Sequence, residues 1–134
     1  MKYFLDNCLS PDFSKALTIL NAPLHKRPDI LHLSELFERN TPDEQWIGEL
    51  AKDGDWIIIS SDPRIARGKA ERRAWREARL TAFFFAPGYA DKGYWVQVEE
   101  LVRWWPKITD KVKTAPKGSG YLMPFKGKEF RDLY

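Results

Sequence analysis

The sequence predicts an α/β fold, a three-layer α/β/α sandwich around a central, mostly parallel sheet. Two continuous apolar runs, Trp56–Ile59 and Thr81–Ala86, read as strands covered on both faces. Between the strand candidates lie segments with helical apolar spacing, the alternation that produces a parallel sheet with right-handed crossovers. Such a sheet carries its site outside the carboxyl ends of its strands.

The elements follow in order. Residues 2–5 read as a short strand, and Ser10-Pro11-Asp12 starts a helix with serine as N-cap and proline at the first helical position. Phe13, Ala16, Leu17 and Leu20 form its apolar stripe, and Asn21-Ala22-Pro23 closes it. Ile30–Leu33 is a second short strand. Thr41-Pro42-Asp43-Glu44 reads as a T-x-x-E capping box opening a helix with Trp46, Ile47, Leu50 and Ala51 on one face, stopped by Gly54. The Trp56 run ends in Ser60-Ser61-Asp62-Pro63. A helix over Gly68–Arg79 then places Ala70, Ala74 and Ala78 on an expected packed face, before the strand that holds Phe83-Phe84-Phe85. Trp95, Val98, Leu101, Val102 and Trp105 give a last helical stripe, which Pro106 is expected to break or restart. Gly118–Phe125 adds a final strand or extended tail.

A length of 134 residues suits one domain over 1–134, with the acid-bearing half in 1–90 and a helical segment and tail in 91–134. The 43% hydrophobic and 31% charged content is globular, excluding disordered and fibrous classes. A lone cysteine, Cys8, cannot form an internal disulfide, and no signal-like or membrane-length apolar span occurs, which favours a reducing cytoplasm and no membrane. The net charge of +3 is modest, so the clustering of bases matters more than their sum.

Asp6 and Asp62 each follow immediately on a strand. If those strands are neighbours, both carboxylates reach one crevice and repel unless a cation sits between them. Asp6 is not needed as a cap, because Ser10 caps the next helix, whereas Asp62 before Pro63 could equally cap a short helix of its own. In the third segment, Glu44 has a capping role, which leaves Asp43 free to act as a ligand. Three carboxylates with no His or Cys at ligand spacing suit Mg²⁺ or Mn²⁺ rather than Zn²⁺. The chemistry suggested is hydrolysis of a phosphodiester by a metal-activated water. His25 and His32 read as structural or solvent-facing, and Cys8 as a small hydrophobe rather than a nucleophile.

The stretches FLDNCLSPDFSKAL, TPDEQWIGELAKDGDWIIISSDPRI and TAFFFAPG, in that order, resemble the PIN-like domain family, specifically the ribonuclease toxins of bacterial VapC-type toxin–antitoxin modules. The resemblance spans roughly residues 3–125. It implies a divalent-metal endoribonuclease in which Asp6, Asp43 and Asp62 are the catalytic, metal-binding acids, with Asn7, Glu44, Ser61 and Asp91 in support. It also implies RNA as substrate and a cognate antitoxin as partner, and is compatible with a homodimer. Two departures bear on activity. Relatives often carry a further acid soon after the third, where this chain has Arg64, and many read Asp-Glu-Asn where this chain has Asp6-Asn7-Cys8. A PIN-like module that binds RNA or protein with weak or no cleavage is therefore the alternative. A phosphatase or response-regulator type would need a second aspartate beside Asp6, where Asn7 and Cys8 stand.

Lys69, Arg72, Arg73, Arg76 and Arg79 share one arc of their helix, and Arg64 and Arg67 extend the basic patch toward Asp62. Bases beside an acidic crevice would hold a phosphate backbone, although a solvated face partly neutralised by Glu71 and Glu77 explains the same pattern. Trp56, Trp75, Trp95, Trp104 and Trp105, with Tyr89 and Tyr94, are candidates for base stacking, most of the tryptophans being assigned to the core by their helical spacing.

Overall fold

The computed structural model describes residues 1–134 and is built on a six-stranded sheet in the order β2-β1-β3-β4-β5-β6. The strands are β1 (Lys2–Leu5), β2 (Asp29–His32), β3 (Trp56–Ser60), β4 (Thr81–Phe85), β5 (Gly120–Met123) and β6 (Arg131–Asp132). The first five run parallel and β6 pairs antiparallel with β5. From β1 the chain steps outward to β2, then returns past β1 to β3, so the direction of winding reverses between β1 and β3. That reversal opens a crevice beyond the strand ends.

Helices cover both faces, so the predicted three-layer sandwich is what forms. Tyr3, Leu5, Ile57, Ile59, Phe83 and Phe85 point to one side. There they pack with Phe13 and Leu17 of α1 (Pro11–Leu20) and Leu101, Trp104, Trp105 and Ile108 of α5 (Tyr94–Lys111). The alternate positions Phe4, Ile58, Ala82 and Phe84 face the other way. They meet Leu33 of α2 (Leu33–Leu36), Trp46 and Leu50 of α3 (Asp43–Asp53) and Trp75 of α4 (Lys69–Ala78). The period-two alternation of a strand thus builds two cores from one sheet. Trp46 stacks on Phe4 with centroids 4.9 Å apart, and Trp75 meets Phe84 edge-on at 5.8 Å.

Three local expectations are corrected. The Thr41 capping box does not form: α3 begins at Asp43 with Pro42 as its N-cap and no side-chain cap, because the Pro42 carbonyl takes the Gln45 and Trp46 amides while the Thr41 hydroxyl donates to Glu38 O at 2.6 Å. The packed face of α4 is not the alanine row, since Ala70 and Ala74 are exposed. One buried indole outweighs three methyl groups in area, so Trp75 sets the rotation of the helix, its Nε1 donating to Ile65 O at 3.0 Å. Pro106 neither breaks nor restarts α5. It lies on the exposed side, where water can satisfy the carbonyl it leaves unpaired, while the opposite stripe packs on either side of it. The strand expected within Gly118–Phe125 forms as β5, and the chain beyond it returns as β6, two exposed residues too short to show a period.

Candidate acidic site at the strand ends

β1 and β3 are direct neighbours, with Leu5 opposite Ile59. The ladder continues one residue further, the Asp6 amide donating to Ile59 O at 2.9 Å, so Asp6 emerges level with Ser60. The Asp6 side chain is buried, 5% exposed, and no Lys, Arg or His pairs with it. Its Oδ1 accepts the Asn7 amide at 2.6 Å, and its Oδ2 accepts the Ser60 hydroxyl at 3.0 Å and the Cys8 thiol at 3.6 Å. Burial pushes the Asp6 carboxyl above the usual range and the Asp43 charge adds to this, against the pull of the Asn7, Ser60 and Cys8 hydrogen bonds.

Asp43 stands in the exposed first turn of α3 and accepts the Trp46 indole N–H at 3.1 Å, near enough to Asp6 for its charge to be felt there. Asp62 is arranged differently. Its Oδ1 accepts the Arg64 amide at 3.1 Å and Arg64 Nε at 2.8 Å, and its Oδ2 accepts a terminal Arg64 nitrogen at 3.0 Å. Asp62 thereby caps the short 3₁₀ turn Pro63–Ala66, and the Arg64 guanidinium holds its carboxyl below the usual range. The structure brings Asp6 and Asp43 within electrostatic reach of each other. It links Asp62 to Asp6 only through Ser60, whose hydroxyl also accepts the Asp62 amide at 3.0 Å.

The other predicted positions spread around this centre. Asn7 contributes its backbone amide to Asp6, while its side chain donates to Arg39 O at 3.1 Å and ties the loop to the segment before α3. Ser61 donates its amide to Cys8 Sγ at 3.2 Å and its hydroxyl to Cys8 O at 3.5 Å. Glu44 is exposed in α3. Asp91 ends a 3₁₀ turn at Tyr89–Asp91 and, with Cys8, Asp62, Arg64 and Arg67, lines a cavity of about 360 Å³. Lys69, Arg73 and Arg76 are exposed on α4 and do not line that cavity, whereas Arg72 spends its Nε on Ala66 O at 3.0 Å and Arg73 pairs with Glu77 at 2.8 Å. Burial first, and then Asp6, push the Cys8 thiol up to about 11, which keeps it protonated at neutral pH and unsuited to nucleophilic attack.

Of two residues that hold the site, the sequence singles out only His32, read there as structural or solvent-facing and found to be structural, and misses Ser60. Ser60 is fully buried at the last position of β3, and its only signal is a hydroxyl ending an otherwise apolar run. His32 is fully buried at the end of β2: its Nε2 donates to Leu9 O at 2.8 Å, which leaves Nδ1 to accept the Ser34 amide at 3.1 Å. His32 therefore pins the loop that follows Asp6.

No three Asp, Glu, His or Cys side chains stand together as ligands for one ion. The buried Asp6 carboxylate, with no cation paired to it, fits a hydrated Mg²⁺ or Mn²⁺, which is commonly held by one or two carboxylates and keeps several waters. Asp62 could join only by leaving Arg64.

A parallel three-layer sheet with a buried acid at its switch point defines an α/β protein with an acidic crevice. A family model described as a PIN-like domain matches residues 1–87, β1 through β4 with all three predicted acids, and the chain belongs to that family. Comparison with curated proteins and with solved structures finds no match. Membership points to nuclease-type chemistry on nucleic acid. No helix is long and apolar enough to cross a membrane.

Proposed function

We propose that this chain is an endoribonuclease that hydrolyses RNA phosphodiesters with Mg²⁺ or Mn²⁺, and that it is the toxin half of a two-gene module neutralised by a cognate antitoxin. The observation that carries the reading is Asp6: a buried carboxylate with no cationic partner, at the switch point of a nuclease-type fold. A divalent ion there would polarise a phosphoryl oxygen and make water a better nucleophile. Asp6 and Asp43 would supply the negative charge to hold such an ion, and Ser60 orients the Asp6 carboxylate. Arg67, in the wall of the adjoining cavity, and Arg64, when it leaves Asp62, are the cations there that would meet backbone phosphates. Lys69 and Arg76 extend that contact along α4.

The test is incubation of purified protein with single-stranded RNA and Mn²⁺ or Mg²⁺ beside Asp6→Asn. Cleavage by the parent and none by the variant is expected; equal cleavage by both, or none by either across varied RNAs, overturns the reading. The toxin role is tested separately, by growth arrest on expression and its relief by the product of an adjacent gene.

A second reading has its own support in the Arg64 guanidinium, which takes both oxygens of Asp62. A PIN-like module with its third acid so neutralised would bind RNA without cutting it, and binding without cleavage in the same assay would select it.

A further inference from the structure

Five of the six tryptophans are buried and one is not: Trp95 is 77% exposed, at the start of α5. Tyr94 beside it is half exposed, its ring 5.5 Å from the Trp95 ring and 5.7 Å from Phe13, so that it bridges the exposed indole to the core. Phe125, two residues beyond β5, is partly exposed, with Lys92 Nζ 4.5 Å and Lys126 Nζ 5.6 Å from its ring centroid.

These rings lie at the carboxyl end of the sheet, the end that carries the acids. The chain leaves β4, lines the Asp62 cavity at Gly88, Ala90 and Asp91, and reaches Lys92 and Tyr94 directly afterwards. The Phe125 loop is held in place. The buried Glu100 carboxylate accepts the Lys126 amide at 3.3 Å and pairs with Arg103 at 2.8 Å, and Arg103 also donates to Gly127 O. The acids nearby are Asp91, Glu99 and Glu100, the last already occupied by Arg103.

We propose that Trp95, Tyr94 and Phe125 form a stacking platform for unpaired bases of the RNA strand that leaves the acidic site, with Lys92 and Lys126 meeting its phosphates. The occupant is single-stranded nucleic acid, because the patch interleaves aromatic faces with lysines. Every base offers a π-face and every linkage a negative charge, whereas a protein-docking core is depleted in lysine. The platform rests on the RNA-cleaving reading and adds to it a route for the strand and a preference for unpaired substrate. All three rings stand beyond residues 1–87, the part matched by the family.

The experiment measures binding without cleavage, by fluorescence anisotropy of a labelled 12-nucleotide single-stranded RNA in EDTA. Trp95→Ala, an exposed position whose change should leave the melting curve intact, is expected to weaken binding about tenfold, the order of one lost base stack. Trp95→Phe should restore most of the affinity. RNA should quench tryptophan fluorescence in the parent and much less in Trp95→Ala, and Asp6→Asn should still bind and quench. Parental binding that Trp95→Ala leaves unchanged overturns the platform while the nuclease reading stands. No binding by the parent also overturns the platform, and the nuclease reading is then decided by the cleavage assay with Mn²⁺ or Mg²⁺. Unchanged RNA binding with an altered sedimentation coefficient in Trp95→Ala assigns the patch to a protein contact instead.

Discussion

The Ser60 hydroxyl donates to the Asp6 carboxylate at 3.0 Å, across the seam where β1 and β3 run side by side. The same oxygen accepts the Asp62 amide, so one side chain fixes the Asp6 carboxylate and the start of the Asp62 turn. In a setting where burial works against the charged form of Asp6, this donor is one of three that stabilise it.

Ser60→Ala should therefore cost about 2 kcal/mol of stability at neutral pH, the usual scale for a lost hydrogen bond to a buried charged group. Urea unfolding checks the loss. RNA cleavage should fall with it, because Asp6 becomes harder to ionise and less well aimed.

Asp6→Asn should stabilise the fold while abolishing cleavage. The folded chain raises the Asp6 pKa, so it binds this proton more tightly than the unfolded chain, and stability is lost as pH rises through the carboxylate range. Removing the charge removes that penalty at pH 7, where each kcal/mol regained raises Tm by about 4 °C in a chain of this size. The difference between parent and variant should shrink toward pH 3, where Asp6 is protonated in both states; thermal melts across pH check this.

Arg64→Ala should release the Asp62 carboxylate. The pair is solvent-exposed on the arginine side, so Tm should barely move. Mn²⁺ binding measured by calorimetry should become several-fold tighter, because a third carboxylate joins Asp6 and Asp43. Unchanged Mn²⁺ affinity would show that Asp62 has no part in holding the ion.

His32 should make the fold acid-sensitive below its ordinary pKa. Burial lowers its pKa, as does the Arg39 charge, while the Leu9 hydrogen bond and the Glu35 and Asp6 charges act the other way. A base with a depressed folded pKa leaves the fold at full stability above about pH 6.5, its unfolded value, and costs stability as pH falls below it. Protonation would also turn the Nδ1 acceptor of the Ser34 amide into a donor. Tm should fall between about pH 7 and pH 5, and His32→Gln should flatten that slope.

Much of the sheet was legible because its signals are local. The apolar runs at Trp56–Ile59 and Phe83–Phe85 and the Ser10-Pro11 start of α1 each state their structure within a few residues, and Ser10 does cap α1, accepting the Asp12 amide at 3.2 Å. The acids at strand ends could be named from the same local pattern. The alanine spacing of α4 was equally local and misled, because the direction a helix faces depends on which side chain finds a cavity to fill, and Trp75 found one among Trp46 and Phe84.

The sequence by itself determined the alternation of strands and helices, and with it a parallel sheet whose acids lie at one end, because backbone period and capping are short-range properties. Only the tertiary structure decided the environment of each acid. Strand order set Ser60 against Asp6, chain direction after Pro63 turned Arg64 back onto Asp62, and packing left Trp95 outside while burying the other five indoles. Desolvation and ion pairing depend on neighbours distant in the chain, and the fold chooses those neighbours.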